Sequence, residues 1–251
     1  MSFINSYKGP KQSEVDISRL LTTEPGEFDV NSSIPVPTNL ESERVHLVPF
    51  IPSLHAEVYY EGLSKDPDFA QYLPFAFPTF ESLLLFLESF IRQDPSSVVF
   101  AIIDKTKTPA PSSLESKKIP NGRLAGMIGW LHGSPQNLSL EIGPVVILPE
   151  FQRTFVSANA IGLLLKYVLD LPHKASPLNK PSIRAAEKMG FVKEGVSRWT
   201  WVLSETKKGK KIDSGRGRGD GDGRDSVFLS LCWDDWEGGV RGMVLKRMER
   251  V

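Results

Sequence analysis

The sequence predicts one α+β domain, and three observations carry that expectation. Apolar residues recur at helical spacing over 53 to 63, 79 to 93 and 155 to 170. Between the second and third of these lie three strand-like runs, 97 to 104, 123 to 133 and 138 to 148, with no helix pattern separating them. Consecutive strands with helices before and after describe an antiparallel sheet with helices packed on it, rather than the strict alternation of a parallel α/β fold. At 251 residues, 40% of them hydrophobic, the chain can bury one core plus appendages.

Residues 1 to 40 are rich in Ser, Pro, Thr and Glu without a sustained period, and they are expected to form a flexible arm that drapes on the domain at 41 to 251. "RVHLVPF" (44 to 50) alternates as a strand does, and "SLHAEVYYEGL" (53 to 63) follows as a helix behind a candidate Ser53 cap. "TFESLLLFLESFIRQ" (79 to 93) opens on Thr79 and aligns Leu83, Phe86, Leu87, Phe90 and Ile91 on one stripe. "SVVFAIID" (97 to 104) and "RLAGMIGWLHG" (123 to 133) are neighbouring strands joined by a long Lys, Pro and Ser-rich connection. "LSLEIGPVVIL" (138 to 148) is a strand carrying Gly143 and Pro144, a pair that signals a bulge or a break in pairing.

A turn then leads into the helix at 155 to 170, and "NKPSIRAAEKMGF" forms a shorter one. In the latter, Pro181 occupies the first turn, Gly190 the left-handed cap, and Phe191 folds back onto apolar surface. Two strands, "SRWTWVL" (197 to 203) and "DSVFLSLCWDDW" (225 to 236), flank a polar Gly-rich insertion at 205 to 226, and the C-terminus is helical.

Thirty Lys plus Arg balance thirty Asp plus Glu, so no whole-molecule field draws the chain to nucleic acid or an anionic membrane. Cys232, the single cysteine, can form no internal disulfide and supplies no multi-thiolate metal site, which points to a reducing, cytoplasmic setting. Its apolar run favours core packing over nucleophilic chemistry. The N-terminal stretch lacks the pattern of a signal peptide, and no apolar run reaches the roughly 20 residues of a membrane span. His46, His55, His132 and His173 show no ligand spacing, so no metal site is expected. "GRGRGDGDG" lacks the flanking strand and helix of a dinucleotide site, and its Asp residues largely cancel the attraction of Arg216, Arg218 and Arg224 for RNA.

"FQRTFVSANA" stands where a strand passes into a helix, so its backbone N–H groups need acceptors. A phosphate would satisfy them, with Arg153 and Ser157 in support; a plain capped turn accounts for the same residues.

Taken together, "SLEIGPVVILP", "FQRTFVSANA" with its long helix, and "PLNKPSIRAAEKMGF" resemble the GNAT superfamily of acetyl-CoA-dependent N-acetyltransferases, and within it the RimJ/RimL-like subgroup. The resemblance spans about 43 to 251 and implies a mixed, mostly antiparallel sheet flanked by helices. It assigns coenzyme A pyrophosphate contacts to Gln152, Arg153, Thr154, Val156 and Ser157, although Gln-Arg-Thr stands where the superfamily has a Gly-rich turn. It assigns Asn179 to the cofactor groove and Ser182 to the coenzyme arm near the thiol.

The implied partners are acetyl-CoA as co-substrate and a primary amine, with a peptide N-terminus among the possible acceptors. The amine must lose a proton, attack the thioester carbonyl and expel a thiolate through an oxyanion. Glu141 is the candidate general base, and amides near Val145 and Val146 are candidate oxyanion donors; a surface strand charge is the alternative account of Glu141. Many members protonate the thiolate with a tyrosine in the final helix. Ala186 occupies that position here, which leaves Ser182 or water.

The family also sets a fifth strand between the long helix and the asparagine, where this chain has only "LPHKASPLN". Nine extended residues reach about 30 Å, enough to return along a helix of roughly 22 Å, with almost no loop to spare. Pro172 and Pro177 oppose regular pairing, so the fifth strand is expected to be short or missing. A degenerate acyl-CoA-binding or structural protein without turnover therefore stands as the alternative function.

Overall fold

The protein is described by a computed structural model covering residues 4, 6, 17–66, 75–111, 113–170, 176–179, 183–203, 207–211 and 222–250, with 176–179 described by their backbone. Eight strands form one sheet: β1 (Leu40–Glu41), β2 (Val45–Pro49), β3 (Val98–Asp104), β4 (Arg123–Ser134), β5 (Ser139–Ile147), β6 (Ser176–Asn179), β7 (Val192–Val202) and β8 (Gly223–Ser230). Their spatial order is β1-β2-β3-β4-β5-β6-β8-β7. Every pair is antiparallel except β5 with β6, which is parallel and is joined through the helix α5 (Phe155–Asp170), the connection that parallel neighbours require. All seven residues of β3 are buried, so both faces of the sheet centre are covered.

The remaining helices are α1 (Ser18–Thr22), α2 (Pro52–Ser64), α3 (Phe80–Leu85), α4 (Leu114–Lys118), α6 (Ile183–Lys188), the single turn α7 (Trp233–Asp235) and α8 (Arg241–Met248). Thr79 caps α3 as its sequence predicts: its side chain accepts from the Ser82 amide, and the Ser82 hydroxyl oxygen accepts from the Thr79 amide. The same helix then widens into a π-helical segment, Phe86–Arg92, which no apolar period announces. Ser53 does not cap α2. Pro52 is the first helical residue, and the Ser53 hydroxyl instead donates to the Thr23 carbonyl at 3.0 Å.

Other differences have physical causes. The strand expected over 225 to 236 stops at Ser230, because Asp235 accepts from the Cys232 amide at 3.0 Å and winds the chain into α7. Cys232 is half-buried at this turn rather than enclosed in the core. From residue 17 the N-terminal arm lies against the domain. Leu20 is buried, Asn31 Nδ2 donates to the Arg92 carbonyl at 2.7 Å, and Tyr167 Oη donates to the Pro35 carbonyl at 2.6 Å.

Two polar groups, the buried Asn159 and the partly exposed Asp170, hold the helices in place. Asn159 in α5 donates to the Phe155 and Met248 carbonyls at 3.1 and 3.0 Å and accepts from the Ser42 hydroxyl at 2.8 Å. Asp170, at the other end of α5, accepts from Trp236 Nε1 at 3.0 Å and from Arg241 Nε and Nη2 at 3.1 Å each. Burial pushes the Asp170 carboxyl up, but these donors outweigh it and hold it below the ordinary carboxylate range. Asp170→Ala strands the indole N–H of a buried Trp236 and is expected to cost about 1–3 kcal/mol, seen as a fall of roughly 5 °C in thermal midpoint.

His55 in α2 is buried, accepts the Ile51 amide on Nδ1 at 2.9 Å and lies against Phe50. Burial lowers its pKa to about 4. The unfolded chain therefore binds a proton on this imidazole below about 6.5 that the folded chain refuses. Stability from this group is full above pH 6.5 and is expected to fall by about 3 kcal/mol as pH drops toward 4. His55→Asn should flatten that slope in acid unfolding titrations, whatever it costs at neutral pH.

Candidate functional site

The site is built where β5 changes partners. Across β4 the register runs Ile128 to Val145 and Trp130 to Ile142, so Gly129 faces both Gly143 and Pro144. That two-against-one count is the bulge that Gly143 and Pro144 announce in the sequence. Gly129 is required there: a Cβ on it would lie 2.1 Å from the Val98 carbonyl oxygen of β3. On the other side, β6 runs parallel to β5 only from Ser139 opposite Ser176 to Ile142 opposite Asn179. A strand four residues long thus stands where the resemblance led us to expect a short or missing one. Pro177 sits within it opposite Leu140, and pairing with β8 begins after it, at Leu178. Among the described residues, β5 beyond Ile142 has a partner on the β4 side alone.

Strand alternation then decides which amides face the open side. The Leu148 amide donates to the Ala125 carbonyl at 2.9 Å, toward β4, so Val146 points the same way and Val145 and Ile147 point away. The Ile147 carbonyl accordingly accepts from Gln152 Nε2 at 3.4 Å instead of from β4. Of the two expected oxyanion donors, Val145 turns its amide to the opening. Val146 does not; its amide serves the sheet and its side chain is buried.

The turn ahead of α5 divides its expected donors in the same manner. Pro149–Phe151 forms a short 3₁₀ turn, and the Gln152 amide closes it on the Pro149 carbonyl at 3.3 Å. Thr154 Oγ1 donates to the Phe151 carbonyl at 2.7 Å and accepts the Val156 amide at 3.3 Å. Gln152 and Val156, expected among the contacts, therefore have their amides occupied. The amides of Arg153, Thr154, Phe155 and Ser157 have no hydrogen-bond acceptor among the described residues. Arg153 adopts φ +60°, the left-handed conformation that turns successive N–H groups to one side and makes an anion-binding concavity. Thr154 is exposed and Ser157 half-buried.

Electrostatics around this turn favour an anion. The Arg153 side chain is exposed and has no ion-pair partner among the described residues, while the Arg44 guanidinium lies 4.3 Å over the Phe155 ring. The Glu150 carboxylate, three residues before Arg153, is engaged by Arg123, with Lys107 at 3.7 Å and Lys65 at 4.0 Å. The Arg123 hydrogen bond is the largest influence holding the Glu150 carboxyl below its ordinary range. Its charge is thereby neutralised rather than left to repel a phosphate.

Glu141 stands two residues before Gly143, with its side chain 14% exposed. Its Oε2 lies 3.2 Å from His132 Nδ1. Its Oε1 faces the bulge, 4.0 Å from where a Cβ on Gly143 would sit. His132 has no metal-ligand spacing, and nothing in the sequence marks its contact with Glu141. The Asn179 backbone bridges β5 and β8, opposite Ile142 and Leu229. Ser182 lies outside the described residues. Ala186, which the resemblance sets in the tyrosine's position, is buried.

Neither a protein-family model nor a curated protein matches the sequence. Solved structures do. A GCN5-related N-acetyltransferase from Brucella melitensis superposes with a TM-score of 0.66 at 22% identity, covering 85% of this chain and 86% of that one. Spermidine N-acetyltransferase from Vibrio cholerae, in complex with CoA and spermine, gives 0.53 at 13% identity over 78% of this chain and 99% of that one. The microcin C7 self-immunity acetyltransferase MccE, in complex with acetyl-CoA and AMP, gives 0.54 at 16% identity over 76% and 93%. Identities this low establish architecture rather than activity, and on that footing the chain has the GNAT acetyltransferase fold.

Proposed function

We propose that this chain is an acetyl-CoA-dependent N-acetyltransferase that moves an acetyl group to a primary amine, working in the cytoplasm on the pattern of the RimJ/RimL-like subgroup. A peptide N-terminus is the acceptor class that this likeness favours. The observation that supports the reading is the set of free amides at Arg153, Thr154, Phe155 and Ser157 beside the unpartnered half of β5. A diphosphate fits such a helix start, because it supplies acceptors to several N–H groups and meets the positive end of the helix dipole.

The groove side of β5 fits the rest of the co-substrate. The Val145 amide is placed to stabilise negative charge on the thioester oxygen, and an N–H fixed in advance by the sheet needs no reorganisation during reaction. Glu141 Oε1 is the oxygen placed to take the ammonium proton, directly or through one water. Asn179 and Ser182 are assigned to the cofactor groove and the coenzyme arm, with Ser182 or water returning a proton to the leaving thiolate.

Two features favour a second reading, binding without turnover: the four-residue β6 and the buried Ala186 where a tyrosine would stand. One experiment separates the two. Isothermal titration with acetyl-CoA, paired with transfer of labelled acetyl to a panel of peptide and small amines, should show binding and product. Binding without product selects the second reading, and absence of binding removes both.

An RNA-associated role would rest on Arg216, Arg218 and Arg224, whose attraction for RNA the interleaved Asp residues largely cancel. Arg216 and Arg218 lie outside the described residues, and Arg224 lies in β8. Deleting 214 to 224 is not expected to change salt-dependent RNA retention. Among the described residues no helix is long and apolar enough to cross a membrane.

A further inference from the structure

Resting on the proposed function, we infer that His132 is a positioning residue for the acetyl transfer. It holds one oxygen of Glu141 on the solvent side so that the other faces the bulge where the thioester would lie.

The geometry begins in β4. Its register against β5 runs Leu131 to Glu141 and Ser134 to Ser139, so β4 carries one extra residue over His132 and Gly133. His132 takes φ +53°, a left-handed conformation that few residues other than glycine adopt, though His, Asn and Asp do so more readily than most. This second bulge turns an imidazole from the neighbouring strand onto Glu141. The two oxygens of the carboxylate are thereby distinguished, with Oε2 against His132 Nδ1 at 3.2 Å and Oε1 toward Gly143. A donated Nδ1–H fixes the carboxylate rotamer.

Exposure agrees with the division of labour. The His132 side chain is 66% exposed and in contact with bulk water, whereas that of Glu141 is 14% exposed. The charged groups that act on His132 are Glu141 from β5 and Asp94 from the segment before β3, itself held by the Ser96 and Ser97 hydroxyls at 2.7 Å each. A strand surface with no task has no need of an αL histidine; glycine would make the same bulge with less strain.

The test uses two variants that both tolerate the backbone. His132→Gly removes the side chain, and His132→Asn replaces Nδ1–H with an amide N–H. His132→Gly is expected to lower kcat about tenfold, since a misplaced base loses near-attack geometry, with the KM for acetyl-CoA unchanged. His132→Asn should restore most of kcat.

Independently of turnover, the His132 ring resonances in NMR spectra should shift in Glu141→Gln, which replaces the carboxylate that its Nδ1 touches. A wild-type rate in His132→Gly would overturn the inference while leaving the proposed function standing. A loss that His132→Asn fails to restore would also overturn it. Absence of transfer by the wild-type chain, with the NMR coupling intact, would overturn the proposed function and the positioning role together.

Discussion

Glu141→Gln is expected to lower kcat by about 10²–10⁴-fold, the range that loss of a general base commands. The substitution keeps shape and volume, and the glutamine carbonyl can still accept from His132 Nδ1. It removes the lone pairs that would take the ammonium proton. Acetyl-CoA affinity should stay within about twofold, because the free amides that would hold the diphosphate belong to the turn before α5 and not to β5. The variant should also recover activity at high pH with an acceptor of low pKa, since a predeprotonated amine needs no base. An equal loss of binding and of kcat would assign Glu141 to holding the substrate instead.

Ser157→Glu should separate stability from binding by giving them opposite signs. Ser157 lies in the first turn of α5, half-buried, with a free amide. A carboxylate there meets the positive end of the helix dipole and is expected to stabilise the fold by about 0.3–1 kcal/mol. The same charge opposes an incoming diphosphate: two like charges about 4 Å apart at an effective dielectric of 20 repel by about 4 kcal/mol before salt screening. The expected result is an unchanged or raised thermal midpoint with a Kd for acetyl-CoA weakened about a hundredfold, measured by titration calorimetry at fixed salt. A variant that is more stable and binds equally well would place the coenzyme elsewhere.

These outcomes show which parts of the molecule were legible in the chain alone. The bounds of α5 fell at Phe155 and Asp170 as its apolar stripe predicted, because a long buried helix repeats one signal over many turns. The bulge at Gly143 and Pro144 was legible because both residues are poorly suited to a paired central strand. The fold class followed from the order of these elements.

What stayed hidden depends on register. Val145 and Val146 look equivalent in sequence, yet one amide serves the groove and the other the sheet, a choice set by the hydrogen bond from Leu148 to Ala125. The contact between His132 and Glu141 needs an extra residue in β4 that no periodicity marks. Side-chain capping was similarly opaque, since nothing in "FQRTFVSANA" shows that Thr154 would occupy the Val156 amide and leave that of Ser157 free. Pro177 misled in the other direction. It argues against a strand, but a parallel partner on one side and a late antiparallel partner on the other leave room for it.

The central claim is that main-chain N–H groups at the start of α5 grip the coenzyme diphosphate. Amide hydrogen exchange at residue resolution, with and without saturating acetyl-CoA, tests it most directly. The account predicts slowed exchange at Arg153, Thr154, Phe155 and Ser157 and at Val145, with Val146 and Val156 little changed because the protein already holds their protons. Exchange at the first four that is indifferent to bound acetyl-CoA would contradict it.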